Sequence, residues 1–272
     1  MMKRFVIFLL ILFFTALPSS LSNASENVSD SDIVKNFTHH IFEYYAKDPA
    51  IMYGSTFLGL VLMQNPADMW IMQEIITEIR PDFIIETGTF AGGAALYYAT
   101  ILKQVNNKGK VITVDIDPKP RIFNINKLKK DNDLLYKKVK ELNDNYIEFI
   151  TSNSVEPALI ERLKEQTKNK KVLVTLDSCH SYEHVLKELI LYSQLVSPGS
   201  YLIVQDTYID ASEEWLETHT ADCPGKKIKG GPLKAVKEFL KEHHDFKVDK
   251  ARERFLFTSY PSGYLKKIQR ND

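Results

Sequence analysis

From about residue 66 onward the chain alternates short apolar runs with segments of helical period, and this alternation limits the fold more than any other feature of the sequence. Strands separated by helices need crossover connections, which build a mostly parallel sheet with helices on both faces. Pro66 to Arg80 carries apolar residues at helical spacing (Met69, Trp70, Ile71, Met72, Ile75, Ile76, Ile79) and stops before Pro81. Phe83-Ile84-Ile85 then reads as a short buried strand, followed at Glu86 by a glycine-rich turn and the helical segment Ala94 to Leu102. Lys110 to Asp115, Tyr146 to Ile150, Lys171 to Leu176 and Tyr201 to Val204 read as further strands, with helices over Ser181 to Leu195 and Pro232 to His243. Phe246 to Val248 and Arg254 to Ser259 are expected to close the sheet as a hairpin, whose strands must run antiparallel. The expected fold is α/β: a Rossmann-like, doubly wound, mostly parallel sheet with an antiparallel C-terminal strand.

The first thirty residues have a different character. Lys3 and Arg4 precede an apolar run from Phe5 to Leu17, and small residues follow at Ser22-Asn23-Ala24. That is the layout of a secretory signal peptide, and it is short of the roughly 20 residues of a comfortable membrane span. Flanking residues could extend it to an uncleaved anchor. Basic residues before the run and acidic ones after it place the main domain on the non-cytoplasmic side. The expected organisation is therefore residues 1–30 as signal peptide or signal anchor plus linker, and 31–272 as one domain with an N-terminal helical extension. Export, or membrane association through this segment, is the expected localisation. Lys plus Arg and Asp plus Glu both number 35, so no excess of basic charge points to nucleic acid. Two cysteines, Cys179 and Cys223, fall short of a disulfide scaffold or a four-cysteine zinc site, and Cys179 reads as a small buried side chain.

Ligands of open α/β sheets bind beyond the carboxyl ends of the strands, so the residue after each strand carries the most information. After the first strand stands Glu86-Thr87-Gly88-Thr89-Phe90-Ala91-Gly92-Gly93. Its glycines allow close backbone approach, and Phe90 stands where a dinucleotide fingerprint needs glycine, which disfavours nicotinamide or flavin. An acid before the first glycine suits a ligand bearing an ammonium group. Asp115 and Asp117 end the second strand, about where an acid would hold a ribose; one of the two is expected to serve turn geometry before Pro118. Asp177-Ser178-Cys179-His180 and Gln205-Asp206-Thr207 follow the fourth and fifth strands. Adjacent strand ends bring Asp177 and Asp206 within reach of one hard cation such as Mg²⁺ or Ca²⁺. His180 stands at the mouth as a candidate general base, while His184 reads as a satisfied, partly buried histidine.

Several long segments together resemble the cephalosporin hydroxylase/rhamnosyl O-methyltransferase family, from about Asn65 to Ile268. They are NPADMWIMQEIITEIRPDFIIETGTFAGGAALYYA, GKVITVDIDP, LDSCHSYEHVLKEL, SYLIVQDT and GGPLKAVKEFLKEHHDFKVDKARERFLFTSYPSGYLKKI. The resemblance implies a class I methyltransferase using S-adenosylmethionine, held at Glu86, Gly88, Thr89, Gly92 and Asp115, with Ser152 to Ser154 near the adenine. It also implies Mg²⁺ at Asp177, position 205 (here Gln205) and Asp206; Asp177 and, from its place at the mouth, His180 are the expected catalytic residues. Gln205 departs from the expected carboxylate, Cys179 from an Asp or Asn, and Tyr208-Ile209-Asp210-Ala211 from an Asn/Gly-rich acceptor loop. The implied acceptor is a hydroxyl on a sugar, glycolipid or secondary metabolite. Homo-oligomerisation is left open. The alternatives are an inactive relative that binds cofactor or glycan, and a dehydrogenase-type or nucleotide-sugar Rossmann enzyme.

Overall fold

The structure, a computed structural model, describes residues 30–47, 54–220, 223 and 230–268. The apolar run from Phe5 to Leu17 lies outside the described residues. The chain divides into two compact units, residues 1–41 and 42–272. Of the first unit, the described residues belong to helix α1 (Asp30–Lys47), which continues into the second. Among the described residues no helix is long and apolar enough to cross a membrane.

The second unit is built on a seven-stranded sheet in the order β5-β4-β3-β6-β7-β9-β8. Its strands are β3 (Phe83–Thr87), β4 (Lys110–Asp115), β5 (Ile147–Thr151), β6 (Val172–Leu176), β7 (Tyr201–Val204), β8 (Phe246–Val248) and β9 (Tyr264–Lys267). The five strands from β5 to β7 pair in parallel. β9 is antiparallel to both β7 and β8. A separate two-stranded hairpin, β1 (Thr56–Phe57) with β2 (Leu60–Val61), precedes the sheet.

The central strands are nearly continuous apolar runs because both faces are covered. Neighbouring residues point to opposite sides: Ile84 packs with Ile75, Ile76, Ala95 and Leu102, whereas Ile85 packs with Leu163, Leu189 and Phe239. One layer thus comes from helices α2 (Pro66–Ile79) and α3 (Gly93–Val105), the other from α6 (Pro157–Gln166), α7 (Tyr182–Ser193) and α9 (Pro232–Glu242). α2 shows how the local sequence sets an element's ends. Pro66 fits its first turn, the Asn65 side chain accepts from the Ala67 N–H at 2.9 Å, and Arg80 turns left-handed at φ 50° before Pro81. Trp70, grouped with the apolar face of this helix in the sequence, is exposed and donates from Nε1 to Glu74 at 3.1 Å.

The closing hairpin differs from expectation. β8 is present, but its partner is Tyr264–Lys267, and Arg254–Ser259 is not a strand. Buried Asp68 of α2 explains the irregular path. Its carboxylate accepts from the Thr258 hydroxyl, the Ser259 N–H at 2.7 Å and the Tyr264 hydroxyl at 2.7 Å. The Ser259 N–H, being taken by this carboxylate, is not available to a strand ladder. Burial pushes the Asp68 carboxyl up to about 6, against the opposing pull of these hydrogen bonds.

Candidate active site

Strand order reverses between β3 and β6, and the two carboxyl ends open onto a cavity of about 550 Å³. Both the position and the size suit a small-molecule site. The Gly88 N–H donates to Val114 at 2.8 Å and the Asp177 N–H to Thr87 at 2.9 Å, locking the ends of three strands together. Gly88 has φ +87°, and a Cβ there would lie 1.9 Å from the Asp177 carbonyl oxygen. Only glycine meets both conditions.

At the β3–β4 end the chain forms a compact turn. Phe90 takes a left-handed φ of 46°, held by its N–H donating to Asp115 Oδ2 at 2.7 Å. Asp115 Oδ1 accepts from the Asp117 N–H at 3.0 Å, and Asp117 Oδ1 accepts from the Lys119 N–H at 3.0 Å. Asp117 therefore serves the turn, while Asp115 faces the cavity with lone pairs left for a ligand's hydroxyls. Of the six residues expected to bind cofactor, Gly88, Asp115 and Ser154 line the cavity; Glu86, Thr89 and Gly92 do not. Glu86 belongs to β3 rather than to the turn, because the strand continues through Thr87 in register with β4 and β6. It is fully buried, with Oε2 accepting from Thr113 at 2.5 Å and Oε1 without a partner. Burial, reinforced by the negative charge of Asp115, pushes its carboxyl up to about 8. Thr89 shares a 2.6 Å hydrogen bond with Thr113, and Gly92 starts α3 at φ 84°.

At the β6–β7 end Asp177, His180 and Asp206 each offer a ligand atom, all within 4.8 Å of one another. His180 Nε2 lies 3.5 Å from Asp206 Oδ2. Asp206 is held left-handed at φ 55°, and its side chain does not cap the following 3₁₀ turn, so the role of a local cap is ruled out. Burial, then the charges of Asp206 and Glu86, hold the Asp177 carboxyl well above its usual range. Gln205, expected as the third metal ligand, is instead turned inward. Its Oε1 accepts from Gln64 at 2.6 Å and lies 2.8 Å from the Tyr260 hydroxyl, and its Nε2 donates to Thr175 at 2.7 Å and Tyr98 at 3.4 Å. Held by these contacts and only 1% exposed, the amide is packed in the interior and does not line the cavity, so it is not placed to take an ion there.

Gln64, Tyr260 and Phe42 enter although the sequence did not single them out, and Tyr208 of the altered acceptor loop joins them. Gln64, just ahead of α2, donates to Asp177 Oδ2 at 2.8 Å, and Tyr260 donates to Gln64 Oε1. Phe42 and Tyr208 line the cavity with their rings stacked 3.8 Å apart. No local motif marks these positions; sequence separations of 113 for Gln64–Asp177 and 196 for Gln64–Tyr260 hide them. Asp210 of the altered loop is structural, accepting from the Gly231 and Leu233 N–H groups at the start of α9 at 3.0 and 2.9 Å. His184 is satisfied as expected, with Nε2 3.0 Å from Ser154 Oγ and 3.1 Å from Ser178 Oγ. Cys179 is not a free thiol: it is disulfide-bonded to Cys223, with Cα atoms 5.5 Å apart. The pairing was hidden because the cysteines lie 44 residues apart and meet only in the fold.

Residues 49–268 match the family model described as Rhamnosyl O-methyltransferase/CmcI. The chain belongs to this family. It is accordingly an S-adenosylmethionine-dependent methyltransferase. The chain is 34% identical over 221 residues to a rhamnosyl O-methyltransferase of Mycobacterium tuberculosis, covering 78% of this chain and 77% of that one. A rhamnosyl O-methyltransferase of Mycobacterium leprae is 30% identical over 216 residues, covering 78% and 82%. Among solved structures, CmcI with magnesium and S-adenosylmethionine is similar in fold, at TM-score 0.52 and 16% identity over 80% of this chain and 78% of that one.

Proposed function

We propose that this methyltransferase moves the sulfonium methyl of S-adenosylmethionine to a hydroxyl of a sugar, glycolipid or secondary metabolite. One observation carries the reading: a ribose-binding acid, Asp115, and a cluster of ionisable groups, Asp177, His180 and Asp206, face one cavity from opposite sides of the switch point. In the transfer the S–CH₃ bond breaks, an O–CH₃ bond forms, and the hydroxyl proton leaves, with S-adenosylhomocysteine as the other product. Such a displacement is accelerated chiefly by holding donor and acceptor in line. The Gly88–Phe90 turn and Asp115 hold the donor, and Ser154 borders its adenine. Phe42, Met63 and Tyr208 give the cavity an apolar and aromatic surface, which suits the ring face of a sugar or a lipid-linked acceptor. The acidic lining also favours the positive sulfonium over the neutral product thioether.

Magnesium is the metal the family resemblance implies. The donor set does not match it: with Gln205 engaged, the third ligand atom beside Asp177 and Asp206 is a nitrogen, whereas Mg²⁺ takes oxygen. A metal ion bound at Asp177 and Asp206 would polarise the acceptor oxygen. The test is calorimetric titration of S-adenosylmethionine into the full chain, followed by an acceptor screen over rhamnosides, other glycosides and phenols. Micromolar binding and methylation of a glycoside support the reading. No binding heat sinks it, and a phenol as sole acceptor overturns the sugar assignment.

A further inference from the structure

The cluster at the β6–β7 end has a chemistry of its own. His180 follows β6 by only a few residues, so its ring is carried by the same strand end as Asp177, while Asp206 follows β7, the parallel neighbour of β6. Two carboxylates and one imidazole therefore converge on one point, their ligand atoms within 4.8 Å of one another and all three lining the cavity. The described residues that line this cavity include three acidic side chains, Asp115, Asp177 and Asp206, and no lysine or arginine. Negative charge gathered beside a protein-lined cavity without a cationic side chain calls for a cation from solution.

Which cation depends on the donors. Mg²⁺ dehydrates reluctantly and prefers carboxylate, phosphate and water oxygen. An imidazole nitrogen adds affinity for first-row transition ions, in the order Mn²⁺ < Fe²⁺ < Co²⁺ < Ni²⁺ < Cu²⁺ > Zn²⁺, and adds little for Mg²⁺. Gln205 removes a further reason for Mg²⁺ to bind, because its amide oxygen accepts from Gln64 and the side chain does not line the cavity. A glutamate there would place a third carboxylate in a position that is 1% exposed, beside Asp177. A hydrogen-bonded amide there adds no charge to the network and leaves the nitrogen of His180 as the third donor.

We propose that Asp177, His180 and Asp206 form a mixed nitrogen–oxygen site that selects a divalent first-row transition ion over Mg²⁺. This rests on the methyltransferase reading only for its purpose, orienting the acceptor oxygen; binding of the ion does not require it. His180 is then a metal ligand rather than the general base expected from its place in the sequence, since Nε2 cannot hold an ion and accept a proton together.

The probe is Mn²⁺, which is paramagnetic and reports on its own ligands. The full chain, stripped with chelator, is titrated with Mn²⁺ and with Mg²⁺ by calorimetry, and the Mn²⁺ form is examined by electron spin-echo envelope modulation. The expected result is at least tenfold tighter binding of Mn²⁺ than of Mg²⁺, together with ¹⁴N modulation from a directly bound imidazole. His180→Gln should abolish the nitrogen signal and reduce the preference to below about threefold, with the thermal midpoint showing that the variant is folded. Equal or tighter Mg²⁺ binding, no ¹⁴N coupling in the parent chain, or coupling that survives in His180→Gln overturns the proposal. Titration of S-adenosylmethionine into the same samples separates the two readings. Cofactor binding without nitrogen coupling overturns the metal site alone, and nitrogen coupling without cofactor binding overturns the methyltransferase reading alone.

Discussion

The two ends of the cavity are built by opposite strategies. The β3–β4 end is local and made of backbone: Gly88, Phe90 and Asp115 lie within one βαβ unit, and the contacts that shape it involve main-chain N–H groups. The β6–β7 end is non-local and made of side chains: Gln64, Asp177, Gln205 and Tyr260 come from four separate segments and hold one another through amide, carboxylate and phenol groups. A disulfide from Cys179, between Asp177 and His180, adds a covalent tie to this second end. A cofactor used by many enzymes can be read by a fixed backbone turn. Side chains gathered from separate segments can be exchanged one at a time without disturbing the backbone turn at the other end.

The largest expected effect tests the covalent tie. For a disulfide closing 44 residues, Cys223→Ser should lower the unfolding free energy by about 4 kcal/mol, between the chain-entropy values for shorter and longer loops. Denaturant melts would show it. If the two ends are independent, S-adenosylmethionine affinity should hold in the surviving folded fraction while turnover falls. Gly88→Ala probes the point where the ends touch. Strain at positive φ and collision with the Asp177 carbonyl together cost about 3 kcal/mol, and cofactor binding should fall with stability. An unchanged melt would show that the strand ends are looser than the structure describes.

A sharper contrast comes from one substitution at each end. Asp115→Asn should weaken S-adenosylmethionine by about tenfold or more, from roughly 1.5–3 kcal/mol for hydrogen bonds to a charged group, leaving saturated turnover nearly intact. His180→Ala should do the reverse, cutting turnover at least about tenfold with cofactor affinity unchanged. Equal losses of both quantities in either variant would erase the distinction between a cofactor end and an acceptor end.

The last effect is gradual, a slope in stability against pH. Glu86 keeps its proton in the folded protein up to about 8 but loses it from 4.5 when unfolded. Asp68 does the same between 3.8 and about 6. In these windows the unfolded state binds fewer protons, so stability falls as pH rises, by at most about 1.4 kcal/mol per pH unit for each group. Glu86→Gln should flatten the slope between pH 6 and 8. An equally steep slope in that variant would assign it to another group.

The same local/non-local division decided what could be read from sequence. β4 and β7 match the runs Lys110 to Asp115 and Tyr201 to Val204 residue for residue, because a strand buried on both faces must be continuously apolar. Gly88 and Asp115 were legible for a related reason: the turn after the first strand and the acid after the second act within their own βαβ unit. The closing strand was misplaced onto Arg254 to Ser259, where Asp68, nearly two hundred residues earlier, takes the Ser259 N–H and the Thr258 hydroxyl. By itself the sequence determined the parallel sheet and the turn that borders the cavity, since these follow from periodicity and from what one residue imposes on its own backbone, and its long motifs pointed to the family by resemblance. Only the tertiary structure decided that Gln205 faces inward, that Cys179 pairs with Cys223, and that His180 joins the two aspartates, because each outcome depends on partners that folding brings from elsewhere in the chain.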